Sequence, residues 1–137
     1  MADASTPARR PWHQHPHPWI AAWIVWFAAL WILSSIPGNS LPNPFDVSDK
    51  IQHAGYFFGG GCLVGGWMVA AGHWPRRRWW IVAAAALVGA LDETHQWFTP
   101  GRSGLDVGDW IADVVGGLAA LGATHFWARR TGRTGRN

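Results

Sequence analysis

Four long apolar runs alternate with short polar stretches along this chain. The runs cover residues 19–36, 54–72, 79–98 and 107–127, and only Ser34 and Ser35 interrupt the first. Each run approaches the roughly 20 residues with which a helix crosses the ~30 Å hydrocarbon layer of a bilayer. The pattern predicts an all-α membrane protein with four transmembrane helices in residues 19–127. A disordered cytoplasmic tail at 1–18 and a basic cytoplasmic tail at 128–137 flank this domain.

The alternative is a soluble helical bundle in which every helix is buried. Four helices that are apolar all round would leave so short a chain without a polar outer face. The tryptophans favour the membrane, since they fall near helix ends as two interfacial belts do. One set is Trp19, Trp74, Trp79, Trp80 and Trp127, and the other is Trp31, Trp97 and Trp110.

Charge predicts the orientation of the helices. The 137-residue chain has a formal net charge of +3, and its basic residues lie in the two tails and the 73–78 loop, except Lys50 and Arg102. By the positive-inside rule the tails and this loop are cytoplasmic. All acidic residues except Asp3 then fall near the external end. No basic face alternates with aromatic residues on a soluble module, so nucleic acid is not expected as a partner.

A short sequence motif occurs in both halves of the chain. Residues 37–40 and 46–53 match residues 100–103 and 106–113 as P-G-x-S followed by D-V-x-D-x-I-x-[HD]. This internal repeat predicts two repeated helical hairpins related by an axis along the membrane normal. Because the gap between the two parts of the motif was chosen freely in each half, chance similarity is the alternative to a true repeat. In this alignment His53 and Asp113 occupy matched positions.

Small residues at four-residue spacing predict close helix packing. The pairs are Gly55/Gly59, Gly61/Gly65, Ala85/Gly89 and Ala112/Gly116. Aspartates before two of the helices predict N-caps, at Asp46 and Asp106, because a carboxylate there accepts from free backbone amides. Asp49 and Asp109, three residues further on, suit both capping and ligand binding.

A polar cluster is predicted inside the outer half of the helices. Asp92 and Glu93 lie ~10 Å below the external end of their helix, Gln96 follows one turn after Asp92, and His53 and Asp113 reach a similar depth from the other direction. Intramembrane carboxylates are costly and mark functional sites by default, whereas the alternative is a polar network that fastens the helices together. We expect one of Asp92 and Glu93 to face the interior, and the spacing leaves open which one.

Two cations and one tyrosine accompany this cluster. Arg102 is interpreted either as binding a phosphate or carboxylate of a ligand or as neutralising Asp92, Glu93 or Asp106. Lys50 has the same two interpretations; we favour the ligand for Arg102 and neutralisation for Lys50. Tyr56, three residues after His53, is interpreted either as orienting that histidine or as an interfacial aromatic.

The sequence predicts no cofactor and no metal site. The single cysteine, Cys62, is interpreted as a packing residue. His13, His15 and His17 are interpreted as part of a disordered tail, with a weak metal-binding tract as the alternative. A hard-cation site built from the carboxylates has no specific signal, and no motif of a known enzyme class is present.

Several motifs together resemble the VanZ-like family of small membrane proteins. They are Asp49-Lys50-x-x-His53-x-x-Tyr56, then Asp92-Glu93-x-x-Gln96-x-Phe98-x-Pro100-Gly101-Arg102, then Asp106, Asp109 and Gly116. The resemblance covers about residues 34–122 and implies a multi-pass protein of the bacterial inner (cytoplasmic) membrane. The family takes its name from an accessory protein of teicoplanin resistance. Asp113 departs from the family, which usually has asparagine there.

The resemblance and the polar cluster predict a binding protein of the cell envelope. The expected ligand is a lipid headgroup, a lipid-linked wall precursor or a glycopeptide antibiotic, and a homo-oligomer is an open alternative to a monomer. The expected ligand-binding residues are Asp49, Lys50, His53, Tyr56, Asp92, Glu93, Gln96, Arg102, Asp109 and Asp113. The alternatives are an intramembrane enzyme acting on a lipid or sugar phosphate, with Asp92, Glu93 and His53 as catalytic candidates, and a small oligomeric transporter.

Overall fold

The computed structural model describes residues 11–40 and 48–133, and this part of the chain is helical without strands. Its four long helices are α1 (Pro16–Ser34), α2 (Asp49–Ala70), α3 (Trp80–Trp97) and α4 (Val107–Arg130), and short 3₁₀ turns cover Trp12–Gln14 and Gly38–Ser40. The predicted all-α fold with four long helices is therefore confirmed. Residues 12–18, assigned to a tail by the sequence analysis, contribute a 3₁₀ turn and the start of α1.

Capping and turn residues set the ends of the helices. The carboxylate of Asp106 accepts from the amides of Gly108 and Asp109 at 2.7 and 3.4 Å, which confirms the predicted N-cap of α4. The Gly108 amide, helped by nearby Lys50, holds the pKa of Asp106 below its ordinary value. Asp46, the other predicted cap, lies outside the described residues, as do 1–10 and 134–137 of the tails.

A glycine in the left-handed region ends α2. Gly72 has a φ of 73°, and the amide of His73 donates to the carbonyl of Met68 at 2.8 Å. This bond satisfies one of the carbonyls left free at a helix C-terminus. The chain then turns through the basic loop into α3.

Helices α2 and α4 form the central pair, with α1 packed on α2 and α3 packed mainly on α4. Glycines allow this close approach: a Cβ added at Gly61 would lie 2.6 Å from the Cβ of Ala120, and one at Gly116 would lie 2.8 Å from the amide nitrogen of Phe58. The packing role predicted for Gly61, Gly65, Gly89 and Gly116 is confirmed. It is wrong for Gly55 and Gly59, where an added Cβ meets no described atom within 4 Å.

Large apolar side chains cover the outside of the bundle. Val25 and Leu87 are 68% and 64% exposed, whereas α1 buries only Leu30 and Ser34 among its 19 residues. Carboxylates lie inside instead. Helices α1 and α4 are long and apolar enough to cross a membrane by length and composition. Trp74 departs from the predicted interfacial belt, because it is buried in the core with Ile81 and Ala128.

Candidate functional site

The predicted site residues gather where α1 and α3 end and α2 and α4 begin. Successive helices run in opposite directions, so these four ends meet at one end of the bundle. A cleft of about 220 Å³ opens there between α1, α2 and α3. Its lining consists of the predicted residues Asp49, His53, Tyr56, Asp92, Gln96 and Arg102 together with Leu30, Leu33, Ser34, Gln52 and Phe57.

Asp92 connects α3 to α1. Its Oδ1 accepts a hydrogen bond from the Ser34 hydroxyl, and its Oδ2 accepts from the Gln96 amide at 2.7 Å. The side chain is buried, so these two donors replace the water that a carboxylate loses on burial. Sequence reasoning missed Ser34, whose only signal was its interruption of the first apolar run.

Glu93 connects α3 to the turn that precedes α4. Its Oε2 accepts from the backbone amide of Asp106 at 2.7 Å, and its own carbonyl accepts from the amide of Leu105 at 3.3 Å. Its Oε1 is buried without a hydrogen-bond partner among residues 11–40 and 48–133. The expectation that one of Asp92 and Glu93 faces the interior is corrected, because both are buried, one against α1 and the other against the turn before α4.

His53 and Asp113 form a pair between α2 and α4. His53 Nδ1 lies 2.9 Å from Asp113 Oδ1, and Asp113 is completely buried. The second oxygen of Asp113, Oδ2, is buried with no hydrogen-bond partner in the described part of the chain. Gly89 leaves room for it, since a Cβ at that position would lie 2.5 Å from Oδ2.

Lys50 neutralises the start of α4. Its Nζ lies 2.7 Å from Oδ1 of the buried Asp109 and 3.6 Å from Oδ2 of Asp106. This geometry confirms the expectation that Lys50 neutralises neighbouring carboxylates. Lys50 and Asp109 lie beside the cleft and do not line it.

Arg102 has a different environment from that of Lys50. Its Nη2 donates to the backbone carbonyl of Leu33 at 3.0 Å, and its buried Nε has no partner within the described residues. No carboxylate in the described ranges lies within ion-pair distance of its guanidinium. Arg102 therefore contributes a positive charge to the cleft that the described carboxylates leave unpaired.

Tyr56 packs against α1 and makes no hydrogen bond to His53. Its hydroxyl donates to the carbonyl of Trp26 at 2.9 Å, the indole of Trp26 donates to the carbonyl of Tyr56 at 3.1 Å, and the two rings stack with centroids 5.2 Å apart. Of its two interpretations, the role of orienting His53 is not seen. The ring forms one wall of the cleft.

His53 and Asp92 line the cleft, and Glu93 lies next to them outside its lining. One ring nitrogen of His53 and one carboxylate oxygen from each acid lie within 4.8 Å of one another. Asp49, His53 and Asp109 form a second such group, in which Asp109 is already paired with Lys50. Imidazole and carboxylate side chains this close are able to share a proton or a cation, or to bind a polar group of a ligand.

An apolar outer surface around an internal group of carboxylates and a histidine defines a class of small helical protein with membrane character. A family model described as VanZ/LLP1 matches residues 19–128, so the chain belongs to the VanZ-like family. The resemblance found in the sequence is thereby confirmed over most of the chain. No match was found among curated proteins or among solved structures.

Proposed function

We propose that this chain is a four-span protein of the bacterial inner (cytoplasmic) membrane, with both termini and the basic loop in the cytoplasm. The support is a distribution of polarity opposite to that of soluble proteins: large apolar side chains point outward, and Asp92, Glu93, Asp109 and Asp113 are buried. The charged residues of α2 and α3 are concentrated at the end where the cleft lies. Water and headgroups reach that end of a spanning bundle, so the cleft opens at the external surface.

The protein contributes to teicoplanin resistance by binding an anionic or amphiphilic ligand in this cleft. The candidates are a lipid headgroup, a lipid-linked wall precursor and the antibiotic itself. The observation that carries the proposal is Arg102, a guanidinium in the cleft without a described carboxylate partner. Such a group binds phosphate or carboxylate with two parallel hydrogen bonds. Leu30, Leu33 and Phe57 supply an apolar wall beside it for an acyl or aromatic portion.

The test is the teicoplanin susceptibility of a Gram-positive host that expresses the chain. Wild type is expected to raise the inhibitory concentration, and Arg102→Ala is expected to return it to that of the empty host. Arg102→Lys keeps the charge but loses the planar pair of donors, so partial protection is expected. The membrane level of each variant is matched by immunoblot.

Arg76→Ala is the matched control, since it removes an arginine from the basic loop at the opposite end of the bundle. It is expected to protect as well as wild type does. Equal protection by wild type and Arg102→Ala at equal levels would refute a role for the cleft. No protection by wild type would mean that this family member serves another envelope function.

A second candidate function is an intramembrane enzyme acting on a lipid phosphate. The observation that favours it is His53, which is oriented by Asp113 and adjacent to Asp92 and Glu93. A carboxylate that orients a histidine is a recurrent arrangement in general acid–base catalysis. Purified protein that releases phosphate from a polyprenyl phosphate, with the activity lost in Glu93→Gln, would favour the enzyme. Absence of turnover in wild type would exclude this substrate class.

A further inference from the structure

The composition and spacing of three side chains are those of a metal site: His53 and Asp92, which line the cleft, and Glu93, which lies next to them. Ligand atoms bound to one divalent ion at about 2.0–2.6 Å lie within roughly 5 Å of one another. The three donor atoms of His53, Asp92 and Glu93 meet this condition, being within 4.8 Å of one another. They come from two helices, so the positions of α2 and α3 fix their arrangement.

The unpaired oxygen of Glu93 is a second and independent observation. Glu93 is 4% exposed, one of its oxygens is held by the Asp106 amide, and Oε1 has no donor among the described residues. A buried carboxylate oxygen without a donor is costly, and a bound cation is one way to satisfy it. This oxygen belongs to the carboxylate that lies next to His53 and Asp92.

The His53–Asp113 pair has the geometry of an outer-shell contact. Histidines that bind metals usually donate their second ring N–H to a carboxylate, which fixes the tautomer and the orientation of the ring. Because Nδ1 of His53 is 2.9 Å from Asp113, its Nε2 is left as the atom available to an ion. Asp113 is therefore the carboxylate that would orient the His53 ring.

The charges around the cluster are also unbalanced. Asp92, Glu93 and Asp113 are buried, and within the described ranges their one ion-pair partner is His53, which contacts Asp113 and balances at most one of the three charges. Lys50, the nearest candidate along α2, is engaged by Asp109. Buried carboxylates without a counter-charge are unfavourable, especially at membrane depth, and a divalent ion offsets them.

We propose that His53, Asp92 and Glu93 bind a divalent transition-metal ion at the side of the cleft that His53 and Asp92 line. An imidazole beside two carboxylates suits Zn²⁺ or Mn²⁺ better than a cation such as Ca²⁺, which prefers oxygen ligands. The inference deepens the proposed function and rests on it only for the role of the ion. Beside Arg102, the ion gives an acidic cleft the positive charge with which to hold a phosphate or carboxylate.

Metal binding is measured by calorimetric titration of the purified full-length chain in detergent, after EDTA treatment, with Zn²⁺ and separately with Mn²⁺. We expect one equivalent per chain for wild type and a loss of affinity of about tenfold or more in Glu93→Gln and in Asp92→Asn. Asp49→Asn discriminates between the two candidate groups, because Asp49 belongs to the second group and lies outside the proposed set. A loss in Asp49→Asn as large as in Glu93→Gln would assign the ion to the other group and overturn the proposal.

The tail histidines need a control of their own. A chain carrying His13→Gln, His15→Gln and His17→Gln together is expected to keep the single equivalent. If that equivalent disappears, the tail binds the ion and the proposal fails.

A measurement on wild type alone covers the case in which the variants do not fold. At 100 times the dissociation constant, Zn²⁺ or Mn²⁺ is expected to raise Tm by about 5 °C or more. Absence of both binding and a Tm shift in wild type would overturn the proposal. These titrations use neither antibiotic nor lipid, so they test the metal site separately from the resistance role. If susceptibility depended on Arg102 but the chain bound no metal, the resistance role would stand and the metal site would be refuted.

Discussion

At the scale of single residues, Asp113 departs from the asparagine that the resemblance to the family implies at this position. One of its two oxygens contacts His53 while the other has no described partner. An asparagine there still has a carbonyl oxygen to accept from His53 Nδ1–H. It also has no charge that burial must desolvate.

Asp113→Asn is therefore expected to change the free energy of unfolding by no more than about 1 kcal/mol, whereas Asp113→Ala loses about 1–3 kcal/mol because it leaves the ring N–H of the partly buried His53 without an acceptor. Both variants are compared with wild type by denaturant unfolding in detergent, followed by tryptophan fluorescence. Equal destabilisation by the two variants would mean that His53 needs the negative charge of Asp113 as well as the hydrogen bond.

At the scale of the helices, the two halves of the chain contact each other at matched positions. The amide of Gly38 donates to the carbonyl of Pro100 at 3.2 Å, which joins the two P-G-x-S segments, and His53 contacts its counterpart Asp113. Residues near a two-fold axis contact their own equivalents in this way. The central pair α2 and α4 is likewise made of matched helices. These contacts favour the two-hairpin interpretation over chance similarity.

The approach of α2 to α4 depends on the absence of a side chain at Gly116. A Cβ there would overlap the Ala54 carbonyl and lie 2.8 Å from the amide nitrogen of Phe58, and neither backbone atom is able to rotate away. Gly116→Ala is expected to separate the helices and to cost about 1–3 kcal/mol in the free energy of unfolding.

Gly122→Ala, on the same helix, is the control for this prediction. An added Cβ there meets no described atom within 4 Å, and alanine is the better helix former, so this variant is expected to equal or slightly exceed wild type in Tm. If Gly116→Ala were as stable as Gly122→Ala, the close approach of α2 and α4 would not be required for stability.

At the scale of the whole molecule, the distribution of polar and apolar side chains indicates which parts of the bundle contact lipid and which contact water. Exposed residues such as Ile24 and Ile32 on α1 lie on the outside, while the acids Asp92, Glu93, Asp109 and Asp113 are buried at one end. This arrangement suits a bilayer around the helices and water at the cleft. It predicts that the 100–106 turn is external and the 73–78 loop is cytoplasmic.

Cysteine labelling in intact cells checks this topology. In a Cys62→Ser background, Ser103→Cys is expected to react with a membrane-impermeant maleimide before the cells are opened. Arg77→Cys is expected to react only afterwards. The reverse result would place the cleft at the cytoplasmic face and would exclude a role in binding external antibiotic.

The sequence by itself determined the four helices and the group of polar residues at one end, because run length, capping and turn residues act over a few positions. The capping role of Asp106 and the packing role of Gly116 followed from such local patterns. Gly55 and Gly59 show the limit, since their spacing matches a packing motif but an added Cβ at either position meets no described atom within 4 Å.

Only the tertiary structure decided the partner of each polar side chain. The Ser34–Asp92 and His53–Asp113 contacts join residues 58 and 60 positions apart. Each depends on the rotation and height of one helix relative to another. Since successive helical residues point 100° apart, the rotation of α3 about its own axis decides which surroundings Asp92 and Glu93 each have. For that reason the burial of both acids, and the unpaired charge of Arg102, became visible only once the helices were packed.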